Sequence, residues 1–195
     1  MSLNKFRGIF PPVPTIVNSA GTLDRDGMGK LIDRVINSGA NGMLILGSGG
    51  EFCHMDHEMR LEVAEFAMSH VAGRVPVMLG IAAPGTDETI QYGLHAQKIG
   101  AAAVLVVNPY YAQLSSEYIY HHYRNIGESL AVPVLLYNFP ALTGQDIGLD
   151  VITRLAKDVP NIIGIKDTID NISHTREIIN RIHPFRPEFI IFSGY

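Results

Sequence analysis

Three side chains in this sequence stand where they could do chemistry. Lys166 closes the apolar run Ile162-Ile163-Gly164-Ile165, Tyr137 closes Pro133-Val134-Leu135-Leu136, and Ser48 lies in Gly47-Ser48-Gly49-Gly50-Glu51, directly after the run 42–46. An amine at the end of a buried strand is costly. An ordinary lysine amine, with a pKa near 10.4, becomes neutral at pH 7 only after a fall of roughly 3 units, worth about 4 kcal/mol. Once neutral and desolvated, such an amine condenses with a ketone or aldehyde to give a Schiff base. Taken alone, the run fits equally a lysine that ends a strand and snorkels to water. Tyr137 offers a phenol that could act as general acid and base for the amine, or only fill space. The glycines around Ser48 let the backbone approach closely, so Ser48 with the amides of Ser48 and Gly49 could bind a carboxylate as a small anion nest. A Gly-rich loop by itself serves a phosphate or a plain turn as well.

These residues recur at the ends of a repeating pattern. Short apolar runs lie at 8–15, 42–46, 75–80, 103–107, 133–137, 162–166 and 189–192, mostly without polar alternation, as strands covered on both faces read. Helical segments are expected between them, at 24–38, 56–71, 86–99, 115–129, 149–157 and 172–182. Asp24, Asp56, Thr86 and Ser115 have the chemistry of N-caps, and Gly39, Gly73 and Gly100 follow three of the helix ends. The alternation predicts repeated right-handed β-α-β units, hence an α/β fold on a parallel sheet. Polar residues stand at the C-terminal ends of four runs, as Gly47-Ser48-Gly49-Gly50-Glu51, Asn108-Pro109-Tyr110-Tyr111, Tyr137-Asn138-Phe139-Pro140 and Lys166-Asp167-Thr168. All strand ends converge in a TIM (β/α)8 barrel, whereas only those at the switch point meet in an open sheet, so the barrel is expected. Such a barrel takes about 250 residues. The chain has 195 and offers seven strand candidates. It therefore reads as a single, incomplete barrel domain over 1–195, with strands 1 to 7 present and strand 8 and the C-terminal helices missing. Met1-Ser2-Leu3 is compatible with an added leader.

Composition excludes several classes. With 47% hydrophobic residues, 17% charged residues and a net charge of -4, the chain is neither disordered nor built to bind nucleic acid. No apolar run approaches the roughly 18 residues of a membrane span, and no charged-then-apolar leader precedes the first run, so no membrane partner is expected and the cytoplasm is the expected compartment. Cys53 is the single cysteine, which forbids an internal disulfide and fits a reducing compartment. A metal-held enolate is the main rival chemistry, since eight histidines are present. His54 and His57 fall near a helix start, His121-His122 within a helix, and His70, His95, His174 and His183 late in or beyond helices, where solvated side chains are expected. Neither a catalytic metal nor any other cofactor is expected.

The four motifs taken together resemble the dihydrodipicolinate synthase and N-acetylneuraminate lyase superfamily of class I pyruvate aldolases. The resemblance runs in order through the whole chain, with Tyr137 and Lys166 separated by 29 positions. It implies that Lys166 forms the imine with a keto acid, that Tyr137 shuttles protons, and that Ser48, Gly49, Leu142 and Gly194 line the substrate. Some members carry a threonine pair in the Gly-rich loop and use the first for proton relay. Here Ser48 keeps that hydroxyl and Gly49 lacks the second. Tyr111 is similar to a tyrosine that some members insert into a partner subunit's site; it reads equally as an interface aromatic without chemistry. Dipicolinate-forming members have an arginine two residues after the proline, and this chain has Leu142, which cannot clamp a carboxylate. Phe139-Pro140-Ala141-Leu142-Thr143-Gly144 with Gln145-Asp146 is most similar to bacterial 2-keto-3-deoxygluconate aldolases. The implied activity is a lyase that cleaves or forms 2-keto-3-deoxy sugar acids with pyruvate and an aldehyde, in a homo-oligomer built as a dimer of dimers. Dihydrodipicolinate synthase or N-acetylneuraminate lyase activity, and a non-catalytic keto-acid-binding homologue, remain open alternatives.

Overall fold

The computed structural model describes residues 3–194; Met1 and Ser2 of the compatible leader, and Tyr195, lie outside it. In chain order the regular elements are α1 (Arg25–Asn37), β1 (Met43–Ile45), α2 (His57–Val71), β2 (Val77–Gly80), α3 (Thr86–Lys98), β3 (Ala103–Val107), α4 (Ser116–Ser129), β4 (Val134–Asn138), α5 (Pro140–Thr143), α6 (Leu149–Asp158), β5 (Ile162–Asp167), α7 (Ile172–Ile182) and β6 (Ile190–Ser193). Short 3-10 turns occupy Leu3–Phe6, Ser48–Gly50 and Phe52–His54. Contacts divide the chain into two compact units, Met1–Gly80 with His95–Val104, and Ile81–Leu94 with Leu105–Tyr195.

In the first unit β1 pairs with β2 in parallel, Met43 opposite Val77. The helices begin where side-chain oxygens satisfy the first free amides: Asp24 accepts from the Gly27 amide and Asp56 from the Met59 amide. Residues 8–15 do not form the expected first strand. Their backbone runs beside β1, with Val13 donating to the Leu44 carbonyl and Leu44 to the Pro11 carbonyl, yet it registers only as a single bridge from Pro12 to Leu44. Pro11, Pro12 and Pro14 lack the N–H groups that a continued ladder needs. Six strands are therefore formed among the described residues where seven were expected.

In the second unit β4 pairs with β5 and β5 with β6, both in parallel. Every residue of β4 is buried, and β5 is buried except at Lys166. The amphipathic helices supply the cover. In α6 the buried residues are Val151, Ile152, Leu155 and Ala156, a stripe with helical spacing. Ser115 caps α4 by accepting from the Tyr118 amide. Thr86 is not the expected cap: it is the first helical residue of α3, and its hydroxyl meets His122 Nδ1 at 2.9 Å. No described helix is long and apolar enough to cross a membrane.

Candidate active site

Lys166 and Tyr137 face each other across the β4–β5 pairing. Tyr137 is the register partner of Lys166, and the Lys166 Nζ stands over the Tyr137 ring, 4.3 Å from its centroid. The phenol ring is 3% exposed, whereas Lys166 is half-buried. Phe139, two residues on, stands against the Tyr137 ring at a centroid distance of 5.8 Å. The lysine chain thus passes along an aromatic wall that orders it and keeps water from one side of the amine.

The neighbouring polar residues turn the other way, because successive side chains in a strand point to opposite faces. Asp167 is fully buried and accepts hydrogen bonds from Asn138 Nδ2 at 3.2 Å and from Thr175 Oγ1 at 2.8 Å. Its other contact is with His174 Nδ1, at 2.9 Å. His174 Nε2 in turn lies 3.5 Å from Asp146 Oδ2. Asn138 also accepts from the Ile147 amide at 3.2 Å. These groups anchor the ends of β4 and β5 to α7 from the face opposite the amine. The sequence placed Asp167 and Asn138 at the same mouth as Lys166; their position in the alternating register puts them behind it.

Thr168 returns to the Lys166 face, two residues on. Its hydroxyl is buried and has no hydrogen-bond partner. A side chain at Gly194 would place its Cβ 2.0 Å from Thr168 Oγ1, so only a glycine lets the backbone lie this close against the threonine; its amide donates to the Asp167 carbonyl at 2.9 Å.

Leu142 lies on α5 and is 61% exposed, and α5 ends at Gly144, whose φ of 75° suits glycine. Tyr111 is fully exposed and has a φ of 83°, a left-handed conformation that is strained for an aromatic residue. In the first unit, Ser48 and Gly49 open the 3-10 turn, which closes through the Gly50 amide to the Gly47 carbonyl at 2.9 Å and the Glu51 amide to the Ser48 carbonyl at 3.0 Å. Leu46, with φ 57°, and Glu51, with φ 60°, bracket this loop in left-handed conformations. The Leu46 carbonyl presses on Gly80, where a Cβ would come within 1.9 Å of it.

Two histidines depart from the expected solvated placement. His122 is buried on the inner side of α4, where burial pushes its pKa down to about 4. His174 is the bridge to Asp167 just described. His70 and His95 instead pair with Asp33 and Glu65. Among the described residues no group of three His, Cys, Asp or Glu side chains is placed to hold a metal ion.

The pattern of the dihydrodipicolinate synthetase family matches residues 5–195, and the chain belongs to that family. Among its relatives is a protein of Escherichia coli K12 named a probable 2-dehydro-3-deoxy-D-pentonate aldolase, YjhH, 45% identical over 193 residues that cover 99% of this chain and 64% of that one. A 4-hydroxy-tetrahydrodipicolinate synthase of Phenylobacterium zucineum is 38% identical over 97% of this chain and 63% of its own length. Among solved structures, YagE of E. coli K12, a prophage protein of the same family determined in complex with pyruvate, superposes with a TM-score of 0.95 at 44% identity, covering 97% of this chain and 64% of YagE. The chain thus spans under two thirds of the length of these relatives.

Proposed function

We propose that the protein is a class I aldolase that cleaves or forms 2-keto-3-deoxy sugar acids, with pyruvate as its keto-acid partner. The observation that carries this reading is the Lys166 amine held over the Tyr137 ring at adjacent strand ends. Relatives named as a 2-keto-3-deoxy acid aldolase and crystallised with pyruvate support it. In this reading the Lys166 nitrogen adds to the C2 keto carbon, the resulting carbinolamine loses water, and a protonated imine remains. The bond between C3 and C4 then breaks as the C4 hydroxyl gives up its proton. Its electron pair flows into the iminium to give an enamine, and an aldehyde leaves. Protonation of the enamine at C3 and hydrolysis of the imine release pyruvate and restore the amine. Tyr137 carries protons in the imine-forming and bond-breaking steps, with the Ser48 hydroxyl as relay. Ser48 and Gly49 hold the keto-acid carboxylate, Gly194 lines the substrate chain, and Tyr111 contributes to a partner subunit's site.

The same reading takes the chain as one (β/α)8 barrel domain, completed by sequence beyond these residues and assembled as a dimer of dimers in the cytoplasm. No resident cofactor takes part. Leu142 directs the choice of aldehyde: it offers no charge to the second carboxylate of aspartate semialdehyde, and a charge-assisted bond of that kind is worth about 1.5 to 3 kcal/mol. Two measurements test the proposal on the full-length protein with chelator present. Borohydride with pyruvate should trap an adduct that mass spectrometry locates on Lys166. Values of kcat/KM should favour 2-keto-3-deoxygluconate, or a close 2-keto-3-deoxy sugar acid, over aspartate semialdehyde with pyruvate by at least about tenfold. An adduct elsewhere ends the mechanism, and a preference for the semialdehyde ends the substrate assignment.

A further inference from the structure

Residues 108–115 connect β3 to α4 without regular secondary structure and carry Tyr111 in its strained, fully exposed conformation. One residue from another connection holds the far end of this segment. The Gln145 side chain accepts from the Leu114 amide through Oε1 at 2.8 Å and donates to the Leu114 carbonyl through Nε2 at 2.5 Å. Both backbone groups of Leu114 are thereby satisfied by one planar amide, as a neighbouring strand would satisfy them. The backbone of Gln145 is fixed independently. Its carbonyl accepts from Asn108 Nδ2 at 3.1 Å, at the near end of the same 108–115 segment, and from Thr143 Oγ1 at 2.9 Å, one residue after Leu142. Two residues on, the Ile147 amide is held by Asn138 Oδ1 at 3.2 Å.

Gln145 therefore joins three pieces of the second unit at their strand ends: both ends of the Tyr111 segment and the helix that carries Leu142. We propose that Gln145 is a positioning residue that fixes the Tyr110–Tyr111 segment against the Leu142 segment, and through them sets how the aldehyde end of the substrate is received. The kinetic part of this inference rests on the aldolase reading above; the mechanical part does not. The chemistry demanded at position 145 is narrow. Leu114 presents one donor and one acceptor, so the side chain must offer an acceptor and a donor about 2 Å apart in one plane. Glutamate keeps the acceptor and sets a second oxygen against the Leu114 carbonyl. Methionine keeps the volume and loses both bonds.

The test compares Gln145→Met and Gln145→Glu with wild type in the full-length protein, by hydrogen exchange and by kinetics. In Gln145→Met the peptide covering 109–115 should exchange at least about tenfold faster, the scale of one or two lost hydrogen bonds, while β4 and β5 keep their protection. Gln145→Glu should do the same, because its lost donor is the group that holds the Leu114 carbonyl. In both variants kcat/KM for the 2-keto-3-deoxy acid should fall at least about tenfold, with the rate of pyruvate trapping at Lys166 kept within about twofold of wild type. Unchanged exchange at 109–115 overturns the inference. So does a loss of protection that spreads through β4 and β5 with pyruvate trapping falling in parallel, which is the behaviour of a residue needed only for folding. If wild type itself traps no pyruvate, the aldolase reading fails, and the exchange result still decides whether Gln145 fixes the segment.

Discussion

Protonation of His122 should destabilise the protein as the pH falls. The imidazole is 2% exposed, its Nδ1 faces Thr86 Oγ1 at 2.9 Å, and its Nε2 has no hydrogen-bond partner. Burial lowers its pKa from 6.5 to about 4, because the charged ring would lose its hydration with no carboxylate to replace it. The folded state thus holds the neutral ring throughout the window from about 6.5 down to about 4, while the unfolded chain takes up a proton there. Between those values the unfolded state binds more protons, and so stability rises with pH. At about 1.4 kcal/mol per unit the effect is absent at pH 7, removes roughly 2 kcal/mol by pH 5 and reaches about 3 kcal/mol near pH 4.

His122→Gln removes the titration and keeps an amide within reach of Thr86. Urea unfolding of both proteins from pH 7.5 to 4.5 isolates the term, because every other group titrates in both. The variant should be the less stable at pH 7, where the native ring packs best and is neutral in both states. That gap should narrow by roughly 2 kcal/mol at pH 5. Parallel stability curves across the whole range would falsify the argument, since they require His122 to have the same proton affinity folded and unfolded.

Other outcomes follow from the same geometry. Tyr137→Phe should keep the fold and lower kcat for aldol cleavage by at least about a hundredfold, the usual contribution of a positioned acid and base; near-normal turnover would move the proton shuttle elsewhere. Gly80→Ala should cost roughly 1 to 3 kcal/mol or more in unfolding, because its Cβ would meet the Leu46 backbone carbonyl at 1.9 Å and neither backbone can yield cheaply. Gly49→Ala, whose Cβ meets nothing within 4 Å, should change stability by no more than about 0.5 kcal/mol, so equal losses at the two positions would contradict the packing argument.

Much of the fold was legible because local chemistry marked it. The helices α1, α2 and α4 begin next to their capping Asp24, Asp56 and Ser115, and the strands from β1 onward fall within a residue or two of unbroken apolar runs. The proline run at 11–14 misled by hydrophobicity: it lies where a strand would lie and cannot donate the ladder. Thr86 misled by type, since a threonine next to a helix start is as able to serve a distant ring as its own backbone. The candidate site was legible in Lys166 and Tyr137, which end apolar runs, and much less so in the residues behind them. Nothing in the chain order announces that Asp167 is held by His174 and Thr175, or that Gln145 closes on Leu114, because these bonds join segments separated by loops whose path the apolar pattern does not encode.

The facing of Lys166 and Tyr137 depends on a register shift that no motif marks. Val134 is opposite Ile162, an offset of 162 minus 134, or 28, whereas Leu135 is opposite Gly164, an offset of 164 minus 135, or 29. Ile163 is the extra residue, a bulge at the start of β5. From that point Tyr137 stands opposite Lys166 and Asn138 opposite Asp167. Had the first offset continued, Tyr137 would stand beside Ile165, and the period of two would send Lys166 to the face where Asp167 is now buried. Gly164 accommodates the close approach that follows, for a Cβ there would lie 2.4 Å from the Ile190 carbonyl of β6. A chain of the same sequence whose β4 and β5 paired without this bulge would still contain the Gly-rich loop, the tyrosine and the lysine in order, and would still read as the same family. Its amine and phenol would point to opposite sides of the sheet. Order of motifs therefore specifies which residues can react, and the parity of the β4–β5 register decides whether they meet.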